Sequence, residues 1–225
     1  MFELLDRPMW SCLATRHLGF SVGLEHARRY RAGLFPFVAA PGEDEESLAA
    51  MADLFERGEQ LVTMQKLEPV VPANLEVVTR APAVQMLAAA PMPVFEDERI
   101  IPLTEADSGE MMALATLTRP GPFTLRALEL GRFWGVKVDG RLAAMAGERL
   151  VQPGFAELSG VCTHPDFQGK GLGRLMSRYV SGQIAASGDT PYLHCYATNS
   201  NAIALYRSIG FELRSEMHVA MMAKP

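Results

Sequence analysis

Three cysteines in 225 residues, Cys12, Cys162 and Cys195, are too few and too odd in number for a disulfide framework. Nor do they show the paired spacing of a zinc site, so no metal and a reducing compartment are expected. Positive charge is also short: 21 Lys and Arg stand against 26 Asp and Glu, a net charge of −5. Bulk electrostatics therefore favour neither nucleic acid nor an anionic membrane as a partner. No apolar run reaches the ~18–20 residues of a bilayer crossing. The opening Met1-Phe2-Glu3-Leu4-Leu5-Asp6 is acidic and lacks the charge order of a signal peptide. The expectation is a soluble cytoplasmic protein with no membrane and no nucleic-acid partner. What is present, 48% hydrophobic and 21% charged residues, is ordinary globular material for one large domain or two modest ones.

Up to residue 95 no chemistry-bearing motif stands out. Phe20, Val22 and Leu24 alternate as in a strand, a basic run fills 26–31, and 34–38 is apolar with Pro36 pointing to a sheet edge. Acids at 43–46 precede Leu48, Met51, Leu54 and Phe55, with Arg57 and Gly58 behind them. That order predicts a helix whose acids offset its dipole. Residues 60–65 and 75–80 read as short strands, and 88–93 as a joint. Residues 1–95 are thus expected to form a small α+β extension of unknown function, set before a domain at 96–225.

The informative stretch is 158–174. An apolar strand passes through His164-Pro165 into Gln168-Gly169-Lys170-Gly171-Leu172-Gly173-Arg174, after which Leu172, Leu175, Met176, Tyr179 and Val180 recur at helical spacing. Glycines at a helix start leave unpaired backbone N–H groups open to a ligand, at the positive end of the helix dipole. Such a loop suits a phosphate. A Walker A loop is excluded, because Gly169-Lys170 is followed by Gly171 and five residues before Gly169 stands His164. A dinucleotide fingerprint fits poorly, because its third glycine comes one residue early and Arg174 takes the place. The pattern Gln/Arg-x-x-Gly-x-Gly/Ala is satisfied in full by Gln168, Gly171 and Gly173. It resembles the coenzyme A loop of the GNAT superfamily of N-acetyltransferases. Asn199, Ala202, Leu205, Tyr206, Gly210 and Phe211 resemble the second signature of that family.

The resemblance covers 98–222 and implies an α/β fold with a mixed α+β sheet, the GNAT acyl-CoA N-acyltransferase fold. Its elements are expected as a strand at 99–103, helices at 105–117 and 124–130, a hairpin turning at Asp139-Gly140, strands at 155–163 and 191–197, a helix at 199–209, and closing strands at 211–222. It further implies acetyl-CoA as co-substrate and direct transfer to an amine of a small molecule or peptide, with room for a homodimer. Val161, Cys162 and Thr163 would offer backbone groups to pantetheine. Gly169, Lys170, Gly171, Leu172, Gly173 and Arg174 would surround the pyrophosphate beside Gln168, with Lys170 and Arg174 as mobile positive charge. Asn199 would help place the pantetheine arm.

The chemistry needs a neutral amine. A lysine-like amine of pKa ~10.4 must give up ~3.4 units of protonation at pH 7, about 4.6 kcal/mol, so a positioned base has work to do. Two residues are candidates by resemblance: Glu157, eleven before Gln168, and His194, twelve before Tyr206, where relatives carry glutamate. Glu157 is favoured slightly, and either could be a satisfied polar group at a strand edge. Tyr206 is the candidate acid for the leaving thiolate, or else a core aromatic. Cys162 and Cys195 read as buried small residues, since no His/Asp set accompanies them. A non-catalytic acyl-CoA-binding regulatory module would share the same loop and is the alternative function.

Overall fold

The computed structural model describes residues 2–225. Helix α1 (Pro8–Leu13) starts with proline in its first turn, where a missing N–H costs nothing. A small antiparallel sheet follows: β1 (Ser21–Gly23), β2 (Arg28–Tyr30) and β3 (Val38–Ala39). Helix α2 (Glu45–Asp53) is capped by Asp44, whose side chain accepts the Ser47 N–H at 2.9 Å. Strands β4 (Gln60–Gln65) and β5 (Glu76–Ala88) come next, then β6 (Ile100–Pro102), α3 (Ser108–Thr118) and the hairpin β7 (Phe133–Val138) and β8 (Arg141–Gln152). The chain ends with β9 (Phe155–Thr163), α4 (Leu172–Ala186), β10 (Thr190–Tyr196), α5 (Ser200–Ser208) and β11 (Phe211–Ala223).

Eight strands form one mixed sheet in the order β4-β11-β5-β10-β9-β8-β7-β6, in which only β9 and β10 run parallel. Alternation along the strands feeds two cores. Met145, Leu150, Phe155 and Cys162 join α1 and α3 on one face, while Ala144, Ala146, Ala156 and Leu158 meet Leu172, Met176, Val180, Ile184 and Tyr206 of α4 and α5 on the other. A third cluster packs Met51, Ala52 and Phe55 on Leu61 and Met222. No helix among the described residues is long and apolar enough to cross a membrane.

The mixed α/β architecture is as expected, but the boundary at 95/96 does not separate two sheets. β5 lies between β11 and β10, paired to both. The strand expected at 75–80 runs on to Ala88, straight through Pro82. A proline is admissible there because β10 has ended: the Pro82 carbonyl accepts from Ala197, and the imino nitrogen on that same side has no ladder partner to disappoint. At 124–130 only a 3-10 turn, Ala127–Glu129, forms, and the strand expected at 34–38 shrinks to Val38–Ala39. The closing strands are one strand, β11, with an irregularity between Leu213 and Ser215.

Candidate active site

β9 and β10 pair only at Phe155–Glu157 against Thr190–Tyr192. Beyond this, β10 pairs with β5 and β9 keeps only β8, so the edge of β9 from Leu158 onward faces an opening. Gly160, at φ 61, sits in a bulge that leaves Ser159 and Cys162 opposite Gly147 and Met145. The loop that follows is turned by Pro165–Phe167 and enters α4 through Gly169 and Gly171, at φ 76 and 75. A Cβ built at either glycine would meet nothing within 4 Å, so both lie open. The first bond of α4 runs from the Leu175 N–H to the Gly171 carbonyl. Among the described residues, the N–H groups of residues 169–174 have no protein acceptor, which leaves six unpaired donors at the start of α4, the end of a helix that favours an anion.

The basic side chains are less mobile than expected. Arg174 donates to Ser208 Oγ at 2.7 Å and to its carbonyl at 3.1 Å, tying α4 to α5, and Lys170 Nζ lies 5.2 Å from the centre of the Phe167 ring. Asn199 caps α5, its Oδ1 accepting the Ala202 N–H at 3.1 Å. Cys162 is buried and pairs with Met145 on β8. Burial pushes the Cys162 and Cys195 thiols up to about 11, which leaves neither as a thiolate at neutral pH.

A cavity of 270 Å³ opens in the splay. Val161, Cys195, Asn199 and Tyr206 line one end, and Met9, Phe37, Val62, Met64, Val219 and Met221 the other. Tyr206 packs its ring on Phe211 at 6.1 Å, and burial pushes its hydroxyl above the ordinary phenol value.

Glu157 and His194, the two candidate bases, come together in one cluster. Glu157 is 0% exposed, and Arg149 holds both of its oxygens, Nε to Oε2 and Nη2 to Oε1, each at 2.8 Å. Burial alone would raise this carboxyl; the guanidinium and His194 outweigh it and hold it near about 2. His194 Nδ1 lies 2.7 Å from Glu157 Oε1, and its Nε2 lies 2.9 Å from the Gln85 side-chain nitrogen. That amide is oriented by two further bonds, to the Leu5 carbonyl and from Arg214 to its oxygen. Gln85 therefore donates, Nε2 accepts, and the proton sits on Nδ1 facing the carboxylate. Protonating Nε2 would set two donors against each other, and burial, opposed by Glu157, lowers the imidazole below its ordinary value. The lone pairs of both residues are thus engaged in this arrangement, and His194 is also among the residues that line the cavity. Arg149 and Gln85, which complete this cluster, lie in no motif, and only the sheet register brings them to it.

The family described as FR47-like protein matches residues 135–219. A [ribosomal protein bS18]-alanine N-acetyltransferase of Salmonella typhimurium (strain LT2) is 39% identical over 74 residues, which are 32% of this chain and 49% of that protein. The chain thus spans about half the length of the curated relatives it matches. A crystal structure of a GNAT-family acetyltransferase from Novosphingobium aromaticivorans DSM 12444 superposes with a TM-score of 0.92 at 39% identity, over 98% of each chain. A GCN5-related N-acetyltransferase from Kribbella flavida shares the fold, with a TM-score of 0.59 at 18% identity over 92% of this chain and 93% of that one.

Proposed function

The chain belongs to the GNAT family, and on that footing we propose that it transfers an acetyl group from acetyl-CoA directly to a primary amine. The observation that carries this reading is the set of six unpaired donors at residues 169–174, beside the open edge of β9 and the cavity that Tyr206 lines. The donors suit a diphosphate, and the free backbone of Val161–Thr163 suits the amide groups of a pantetheine arm laid along it as an added strand. Asn199 Nδ2 is free to meet the same arm, its oxygen being spent on the helix cap. The thioester supplies an activated acyl group with a good leaving sulfur.

Tyr206 gives that sulfur a hydrogen bond and keeps its proton. A thiolate of pKa ~8.5 is a weaker base than a phenolate of ~10, and burial widens the gap. Glu157 and His194 position rather than deprotonate: they hold the parting strands β9 and β10 at a fixed separation. The amine then enters as the neutral form present in solution. Residues 1–95 wall the acceptor end through Met9, Phe37, Val62 and Met64. They cannot be removed as a unit to test this, because β5 would leave β10 and β11 without their shared neighbour.

Calorimetric titration with acetyl-CoA, followed by free-thiol release over a panel of amines, tests the reading. Binding is expected; no heat at millimolar acetyl-CoA would sink it, and binding without turnover of any amine would favour the regulatory module. Tyr206→Phe should lower kcat by roughly 10- to 150-fold, the worth of one hydrogen bond to a charged group, and leave the acetyl-CoA Kd within about twofold. An unchanged kcat would place Tyr206 in the core alone.

A further inference from the structure

The acceptor end of the cavity has a chemical bias that the proposed transfer does not require. Met9, Phe37, Val62, Met64, Val219 and Met221 give it hydrocarbon and thioether walls. No Asp or Glu lines the cavity; its charged side chains are Arg119 and Arg149. The nearest carboxylate of the cluster, Glu157, is fully buried and committed to Arg149 and His194. Arg149 stacks over Phe37 with its guanidinium carbon 5.1 Å from the ring centre, and its charge is matched by Glu157.

Arg119 is placed differently. It ends α3 in the left-handed conformation, φ 51 and ψ 58, directly before Pro120-Gly121-Pro122. A non-glycine residue there is strained, and the two prolines limit how far the loop can relax. Arg119 is exposed, has no carboxylate partner among the described residues, and is one of the residues that line the cavity. A second ammonium group on an acceptor would thus lose water among apolar side chains, find no anion, and meet uncompensated positive charge.

We propose that the acceptor is a monoamine on a compact hydrocarbon or aromatic body, and that Arg119 turns away amines carrying a second positive charge. Diamines, polyamines and free lysine are then poor substrates. This rests on the acetyltransferase reading above. At 270 Å³, about nine liquid-water volumes, the cavity matches a body of that modest size once the reacting groups are seated.

The test compares hexylamine with 1,5-diaminopentane, chains of equal length that differ by a methyl group against an ammonium. With saturating acetyl-CoA, kcat/KM for free-thiol release should be about 30-fold or more higher for hexylamine. Thr79 is exposed and lines the same wall, so Thr79→Asp supplies the missing anion with little threat to the fold. It should raise kcat/KM for the diamine by about fivefold or more while the acetyl-CoA Kd stays put. Arg119→Gln should move the diamine in the same direction. A diamine used as well as hexylamine by the unaltered protein overturns the proposal, as does thiol release with other amines of the panel but not with hexylamine. Failure to bind acetyl-CoA overturns the underlying reading instead, so the two failures are distinguishable.

Discussion

Glu157→Ala should cost about 3–5 kcal/mol of folding stability, read as a drop in the denaturant midpoint at unchanged slope. The Arg149 side chain is only 11% exposed, lies against the stacked rings of Phe35 and Phe37, and has both donor faces on Glu157. Removing the carboxylate strands a guanidinium there with no anion and leaves His194 Nδ1 without its acceptor. Arg149→Leu alone should cost a similar amount. The double variant should cost far less than the sum, because the penalty lies in the unpaired charge rather than in the pair's absence. The pH dependence has a definite sign. Glu157 is depressed from 4.5 to about 2 in the folded chain, so its contribution is complete above 4.5 and disappears as pH falls toward 2. In Glu157→Ala that segment of the acid-stability curve should flatten. A variant as stable as the parent at pH 7, with the same acid limb, would show that the pair carries no weight.

Turnover of an alkylamine should climb about 100-fold between pH 6.5 and 8.5, with log(kcat/KM) rising at unit slope and no plateau. Below the amine's pKa of ~10.4 the neutral fraction grows tenfold for each pH unit. No group in the cluster interrupts that rise. Glu157 is already ionised near about 2, His194 is lowered from its ordinary value and stays neutral, and Tyr206 is raised and keeps its proton. A profile already flat across that window would mean that His194, lowered from its ordinary value, breaks its bond to Gln85 and serves as the base. Gln85→Ala, which removes that donor from Nε2, should then shift the pH at which the profile flattens.

The glycine-rich loop that opens α4 was legible in the chain because it is local. Gln168 to Arg174 form a loop whose glycines, helix start and preceding strand are consecutive in sequence, and the structure finds them in that arrangement. Tyr206 was legible for the same reason, sitting within a short motif on one helix. The character of Glu157 and His194 was not legible. Both were read as candidate bases or else satisfied polar groups at a strand edge, and what surrounds them is Arg149 one hairpin away and, for His194, Gln85 more than a hundred residues earlier. Partners of that kind are chosen by register between strands, a property no window of sequence contains. The reach of β5 beyond residue 80 was missed on similar grounds: the strand runs on through Pro82, where the early finish of β10 makes a proline harmless.

The seat of β5 between β11 and β10 also bears on how the polypeptide acquires its shape during synthesis. Ala88 pairs with Phe211, and Glu76 with Ala223, across more than 120 residues of chain. While β11 is still inside the ribosome, the β5 that has long since emerged has no partner on that side, and β4 has none at all within the large sheet. Closure of the sheet therefore waits for the emergence of β11. Until then two strand edges stand open to other nascent chains, and chaperone cover matters most over that interval.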